Sequence, residues 1–284
     1  MPSHLIATSL RIVARCYVAP LSVVIFGITP AAVLAQENAL TNVSARGATP
    51  ASGFTGAEKQ LSPSQKAIQL NEQAVKLIFD GKSAQGKAKF EEAMRLDPDN
   101  PTVLYNYAGI CLTEGKSADA VGAMEKAVKA DPHDLALWNR LAEANFASSD
   151  LESAIKHYEK IIAIDPKFEQ AMFRLGTLYG MRQQWDLSES MLRKALDANK
   201  DDARILANLG SVLVLREKYQ EAIDLLNRAH FESPNAEVEM SLAIAHDGLK
   251  NPTLALEHYK RAKELGLKDD GLEKRITELQ ATNK

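Results

Sequence analysis

Cysteine is almost missing from this chain: Cys16 and Cys111 are the only two in 284 residues. Cys16 falls in a stretch that reads as a removable leader, so the mature protein has no internal disulfide and must take its stability from packing. An excess of basic charge is missing too. Lys and Arg number 34 against 37 Asp and Glu, a balance that argues against nucleic acid as a partner. Aromatic residues are sparse at 6%, as expected where many interior sites require Ala or Gly. The chain carries no glycine-rich phosphate loop, no Gly-x-Ser-x-Gly elbow and no Cys–His pairing beyond the leader. Its histidines, His4, His133, His157, His230, His246 and His258, show no spacing suited to a metal. Acidic pairs such as Glu91-Glu92 and Asp201-Asp202 read as solvated helix and turn residues. The expectation is a protein that is not an enzyme, with no catalytic residues, no metal and no cofactor.

What is present begins with an apolar run from Tyr17 to Leu34, preceded by Arg11 and Arg15 and closing on Val33-Leu34-Ala35. A basic start, an apolar middle and small residues at the end form a secretory signal over residues 1–35, cut after Ala35. The alternative is an uncleaved membrane anchor, for which the run is barely long enough and carries Pro20 and Pro30. Arg15 stands where a lipid-anchored Cys16 would need a small neighbour, so no lipid anchor is expected. Cleavage leaves 32 basic and 37 acidic residues, a net charge of −5. Residues 36–63 are rich in Ala, Ser, Thr and Gly without helical periodicity and read as a flexible linker. The linker ends at Ser62-Pro63-Ser64-Gln65, where a capping serine, a first-turn proline and a glutamine three residues on open a helix.

From there the sequence keeps a ruler. Pro98, Pro132 and Pro166 stand 34 residues apart, and Pro234 lies two such steps further on. Small residues occupy the eighth place of each unit: Ala74, Ala108, Ala142, Gly176, Gly210 and, one residue early, Ala243. The twentieth place holds Gly86, Ala120, Ala154, Ser188, Ala222 and Ala255. Four residues later come Phe90, Met124, Tyr158, Leu192, Leu226 and Tyr259, and three further Ala93, Ala127, Ile161, Ala195, Ala229 and Ala262. Small residues at fixed places in two consecutive helices let backbones approach, and the large residue fills the gap between them. Turns at Asp80-Gly81-Lys82, Glu114-Gly115-Lys116, Ser148-Ser149-Asp150 and Lys250-Asn251-Pro252 divide each unit into two helices. Asp97-Pro98, Asp131-Pro132 and Asp165-Pro166 end the second one. The fourth unit departs, with Asn199-Lys200 in place of a proline pair.

This pattern resembles the tetratricopeptide repeat. Leu141-Ala142, Leu175-Gly176 with Tyr179, and Leu209-Gly210 match its signature best, with Trp138 at the aromatic place. The resemblance implies an all-α, right-handed α-solenoid of about six helical hairpins over residues 64–267. Its units are 67–100, 101–134, 135–168, 169–202, 203–235 and 236–267, with a capping helix in 268–284 built on Leu272, Ile276 and Leu279. It further implies a concave groove lined by the first helix of each unit. The family's sixth groove position falls on Asn106, Arg140, Arg174 and Asn208, the fifth on Tyr105, Asn139 and Phe173, and the second on Gln170 and Arg204. The alternative is that Arg140 and Arg174 pair with neighbours such as Glu143 and only keep the surface soluble. Trp138, Leu141 and Tyr179 read as core.

A carboxylate clamp of chaperone-binding relatives is incomplete here: Asn106 and Arg140 match it, while Asn71, Val75 and Ala136 do not. The expectation is therefore a non-catalytic, exported interaction scaffold, periplasmic or secreted. It would bind a protein or peptide and neither nucleic acid nor, once cut, the membrane, with its oligomeric state left open. It is similar to repeat proteins that assist pilus or secretion-system assembly. The alternative function is an accessory subunit of an envelope polysaccharide or glycan-modifying system.

Overall fold

The computed structural model describes residues 61–282. The expected leader and nearly all of the linker lie outside them. Two compact units form, one ending at His157 and one beginning at Tyr158. Thirteen helices and no strand occur among the described residues.

In the first unit α1 (Pro63–Phe79) pairs with α2 (Ser83–Leu96), and α3 (Pro101–Thr113) pairs with α4 (Ser117–Ala130). Next come α5 (Leu135–Ala147) and α6 (Leu151–Ile164), the helix that carries the division between the units. The start of α1 bears the reciprocal cap expected of its sequence. Ser62 Oγ accepts from Gln65 N at 3.2 Å while Ser62 N donates to Gln65 Oε1 at 2.9 Å. Asn100 and Asp134 cap α3 and α5 through their side-chain oxygens alone, accepting from Val103 N and Ala136 N without a return bond.

The second unit pairs α7 (Glu169–Met181) with α8 (Trp185–Ala198), α9 (Ala203–Leu215) with α10 (Tyr219–Glu232), and α11 (Ala236–Gly248) with α12 (Pro252–Glu264). It closes with α13 (Asp270–Thr282). Leu272, Ile276 and Leu279 of α13 are buried against Met240, Ala243, Ala255, Tyr259 and Ala262. Arg275 fastens the same helix by donating from Nη2 and Nε to the two oxygens of Asp247 at 2.6 and 2.7 Å.

One backbone device joins every pair. The residue two beyond each first helix takes a left-handed conformation: Gly81, Gly115, Ser149, Gln183, Glu217 and Lys250, with φ between 58° and 76°. The amide that follows reaches back to the third carbonyl from the helix end, as in Lys82 N to Leu77 O at 2.8 Å and Gln184 N to Tyr179 O at 2.9 Å. Only the first two of these positions are glycine, so the remaining four hold a conformation that disfavours a side chain.

The packing follows the ruler. The alanines at the eighth, twentieth and twenty-seventh places are fully or almost fully buried, and so are the large residues at the twenty-fourth. A Cβ added at Gly176 would fall 2.7 Å from Leu192 Cγ, and one at Gly210 would fall 2.6 Å from Leu226 Cγ. A methyl at either place would clash with the facing leucine.

The departures in the fourth and sixth units are absorbed locally. Where Lys200 replaces the proline, Arg228 ties the turn by donating to Lys200 O at 2.6 Å and pairing with Asp201 at 3.1 Å. The missing residue comes out of the loop 233–235, which connects α10 to α11 and leaves both helices intact.

Candidate functional site: the first-helix faces

In the first unit the polar side chains of the first helices bond to one another across hairpins. A fifth-place side chain meets the sixth-place side chain of the next hairpin, 35 residues later. Asn106 Nδ2 donates to Asn71 Oδ1 at 3.0 Å, and Arg140 Nη2 donates to Tyr105 Oη at 2.8 Å. The Arg140 guanidinium also lies 4.4 Å from the centroid of the Tyr105 ring, within cation–π range. Glu143, one turn on, approaches Arg140 at 3.5 Å and accepts from Asn139 Nδ2 at 3.3 Å. Arg140 is consequently only 5% exposed. Its charge is spent inside the fold, so the Glu143 pairing weighed from the sequence holds for this arginine. Asn139 keeps one buried oxygen, Oδ1, without a hydrogen-bond partner.

The second unit handles its charges differently. Phe173 is 7% exposed and buried in the core rather than displayed. The Arg204 guanidinium lies 5.4 Å from its ring centroid. Arg204 pairs with Asp202 at 2.6 Å, and Asp202 Oδ1 accepts the Arg204 amide at 2.8 Å as the cap of α9. Burial alone would raise the Asp202 carboxyl, but its bonds to the Arg204 side chain and amide hold it below the usual carboxylate range. Glu169 is shifted the other way, first by burial and then by the like charge of Asp202. Its Oε1 is buried without a hydrogen-bond partner. Asn208 turns Nδ2 back to its own helix, donating to Arg204 O at 2.8 Å.

Arg174 is the exception on this face. It is half-buried, with Nε enclosed and unbonded. Among the described residues it makes no hydrogen bond and no ion pair, and its terminal nitrogens remain accessible. Gln170, one turn earlier on α7, is also half-buried and also makes no side-chain bond there.

Of the nine expected site residues, then, Tyr105, Asn139 and Arg140 form one bonded set with Glu143, Asn106 pairs separately with Asn71, and Asn208 bonds back to its own helix. Phe173 and Arg204 form another with Asp202. Gln170 and Arg174 share an open stretch of α7. Sequence reading left Asn71 unassigned, although the 35-residue step from the fifth to the sixth place could have found it. Trp138 lies on the core side, where its indole donates to Pro132 O at 2.9 Å and its ring sits 5.4 Å from His157. Tyr179 is buried and donates to Glu159 Oε1 at 2.7 Å. Among the described residues no group of three or more His, Cys, Asp or Glu is placed to hold a metal, and no helix is long and apolar enough to cross a membrane.

Paired helices in a fixed register, with close-packed small residues behind and polar side chains on the first helices, define an all-α solenoid of helical hairpins closed by a C-terminal helix. The chain belongs to the tetratricopeptide repeat family: that family's model matches residues 71–134, 112–167 and 173–237, together more than half of the chain. Domains of this family bind protein or peptide partners and are generally non-catalytic scaffolds.

The type IV pilus assembly protein PilF of Pseudomonas aeruginosa is 26% identical over 117 residues, covering 40% of this chain and 46% of that protein. The chain spans less than half the length of the curated relatives it matches. Two solved structures share the fold. A tetratricopeptide repeat protein from Parabacteroides merdae is 16% identical with a TM-score of 0.55, covering 76% of this chain and 99% of that one. YrrB, described as a TPR protein with an unusual peptide-binding site, is 17% identical with a TM-score of 0.57, covering 66% of this chain and 97% of that one.

Proposed function

We propose that this protein is a non-catalytic scaffold of the cell envelope that holds an extended segment of another protein against its first-helix faces, in the assembly of a pilus- or secretion-type complex. The observation that carries this reading is the contrast within the faces. Most of their charge is paired internally, yet Gln170 and Arg174 present amide and guanidinium groups with no bond among the described residues. A side chain with nothing to hold inside the fold is available to a partner, and amides serve both the donors and the acceptors of a peptide backbone.

The envelope setting draws on the leader-like residues 1–35 and on the partial match to a pilus assembly protein. Sequencing the mature protein should find its first residue at Gln36; an intact Met1 would favour a retained anchor. The scaffold itself is tested by purifying the tagged protein from crosslinked envelopes. A pilus or secretion component should copurify with the native protein and be lost from a Gln170→Glu, Arg174→Glu variant that melts normally. Equal recovery with both would contradict the assignment of the face, and recovery of a polymer synthase would contradict the assembly role.

A further inference from the structure

Resting on the reading that the first-helix face binds a peptide, we propose that Arg174 is its single cationic anchor, taking the carboxylate of one Asp or Glu side chain inside an extended partner segment. Among the arginines of the face the other two are already engaged. Arg140 is buried, bonded to Tyr105 and facing Glu143. Arg204 is held by Asp202 through two side-chain bonds, at 2.6 and 3.1 Å. Arg174 alone has an enclosed Nε and accessible terminal nitrogens with no carboxylate against them among the described residues.

A guanidinium in this setting has lost part of its hydration without gaining an ion partner, so an arriving carboxylate gains a fork of charge-assisted hydrogen bonds at a small further desolvation cost. The neighbour says which carboxylate. Gln170 lies one turn before Arg174 on α7, and its side-chain amide makes no bond among the described residues. An amide beside the fork offers both a donor and an acceptor to the backbone next to the anchored group, which suits an internal acidic side chain rather than a chain terminus.

The test is a selection of random displayed peptides on the mature protein, followed by titration of a synthetic, amidated copy of an enriched sequence. Enriched sequences should share one Asp or Glu at a fixed place, and changing it to the amide should weaken binding about tenfold. Arg174→Gln should cause the same loss and erase the difference between acid and amide peptides. Arg174→Lys, which keeps the charge without the fork, should recover only part of it. Lys194→Gln on the exposed side of α8 removes an equal charge elsewhere and should leave binding unchanged; an equal loss there would reduce the effect to net charge and overturn the anchor. Three further results would overturn it. Enrichment without an acidic residue, or an acid preference that survives Arg174→Gln, would leave the peptide-binding face standing. Binding that needs a free C-terminal carboxylate would show a terminus as the ligand. No enrichment at all would remove both this anchor and the face on which it rests.

Discussion

Gly176→Ala is a single-methyl change whose outcome depends on how the hairpins are packed. The added Cβ would lie 2.7 Å from Leu192 Cγ, 3.0 Å from its Cδ2 and 3.2 Å from its backbone nitrogen. Unstrained carbon contacts lie near 3.5–4.0 Å, and Leu192 is completely buried, so it cannot swing out into solvent to make room. Overpacking of this kind costs about 1–3 kcal/mol. Alanine recovers about 1 kcal/mol of helix propensity over glycine, leaving a net loss of about 1 kcal/mol.

The other units show how the clash is avoided. Glycine at the eighth place faces a leucine in Gly176/Leu192 and Gly210/Leu226. Alanine shares its core with an unbranched or planar side chain in Ala74/Phe90, Ala108/Met124 and Ala243/Tyr259. The branch at leucine Cγ occupies the space that an alanine methyl needs. Leu192→Met should therefore rescue Gly176→Ala, and a double-mutant cycle should show a coupling of about 1 kcal/mol or more. The assay is guanidinium unfolding followed by far-UV circular dichroism. Additivity within about 0.5 kcal/mol would refute the steric argument.

Other consequences are as direct. Arg275→Met should free α13 before the rest of the fold, since it removes the two bonds to Asp247 from side chains only about a quarter exposed; the loss should be about 1.5–3 kcal/mol, read as faster hydrogen exchange in α13, and unchanged exchange would show that the apolar contacts suffice. Burial would raise Glu189, but Lys218 and Arg193 outweigh it and its carboxyl falls below 4.5. Its contribution is therefore full above about 4.5 and lost as pH falls through the lowered value. Glu189→Gln should cost about 1–3 kcal/mol at neutral pH and flatten the acid limb of the stability profile; parallel profiles would count against the ion pairs. Glu217→Gly should stabilise by up to about 1 kcal/mol in thermal melts, because a left-handed residue with φ of 59° is freed of its side-chain penalty; a drop in melting temperature would indicate that chain entropy dominates.

The stack was legible in the sequence because its determinants repeat. Ala108, Ala120, Met124 and Ala127 recur in kind at every step of the ruler, and each is buried. The turns were legible only where a small or breaking residue marked them. Gln183 and Glu217 carry no such mark, yet the same left-handed residue occurs there because hairpin geometry imposes it. The face was half legible. Its positions follow from register, but whether a side chain is spent or open depends on a partner outside the reach of local pattern. Arg140 and Arg174 occupy equivalent places; Tyr105 and Glu143 engage the first, and nothing among the described residues engages the second. A charge reversal at Arg140 would therefore disturb folding as well as recognition, and only Arg174 isolates the face.

Photo-crosslinking in the native envelope reads which helices of the stack meet the partner. With a photoreactive residue at Gln170 or Asn208 on first helices, and at Lys194 or Asp224 on the exposed sides of α8 and α10, the first-helix positions should give one shared partner adduct and the second-helix positions none. Adducts of equal yield from all four, or from Lys194 and Asp224 alone, would contradict the division between residues that build the stack and residues that it displays.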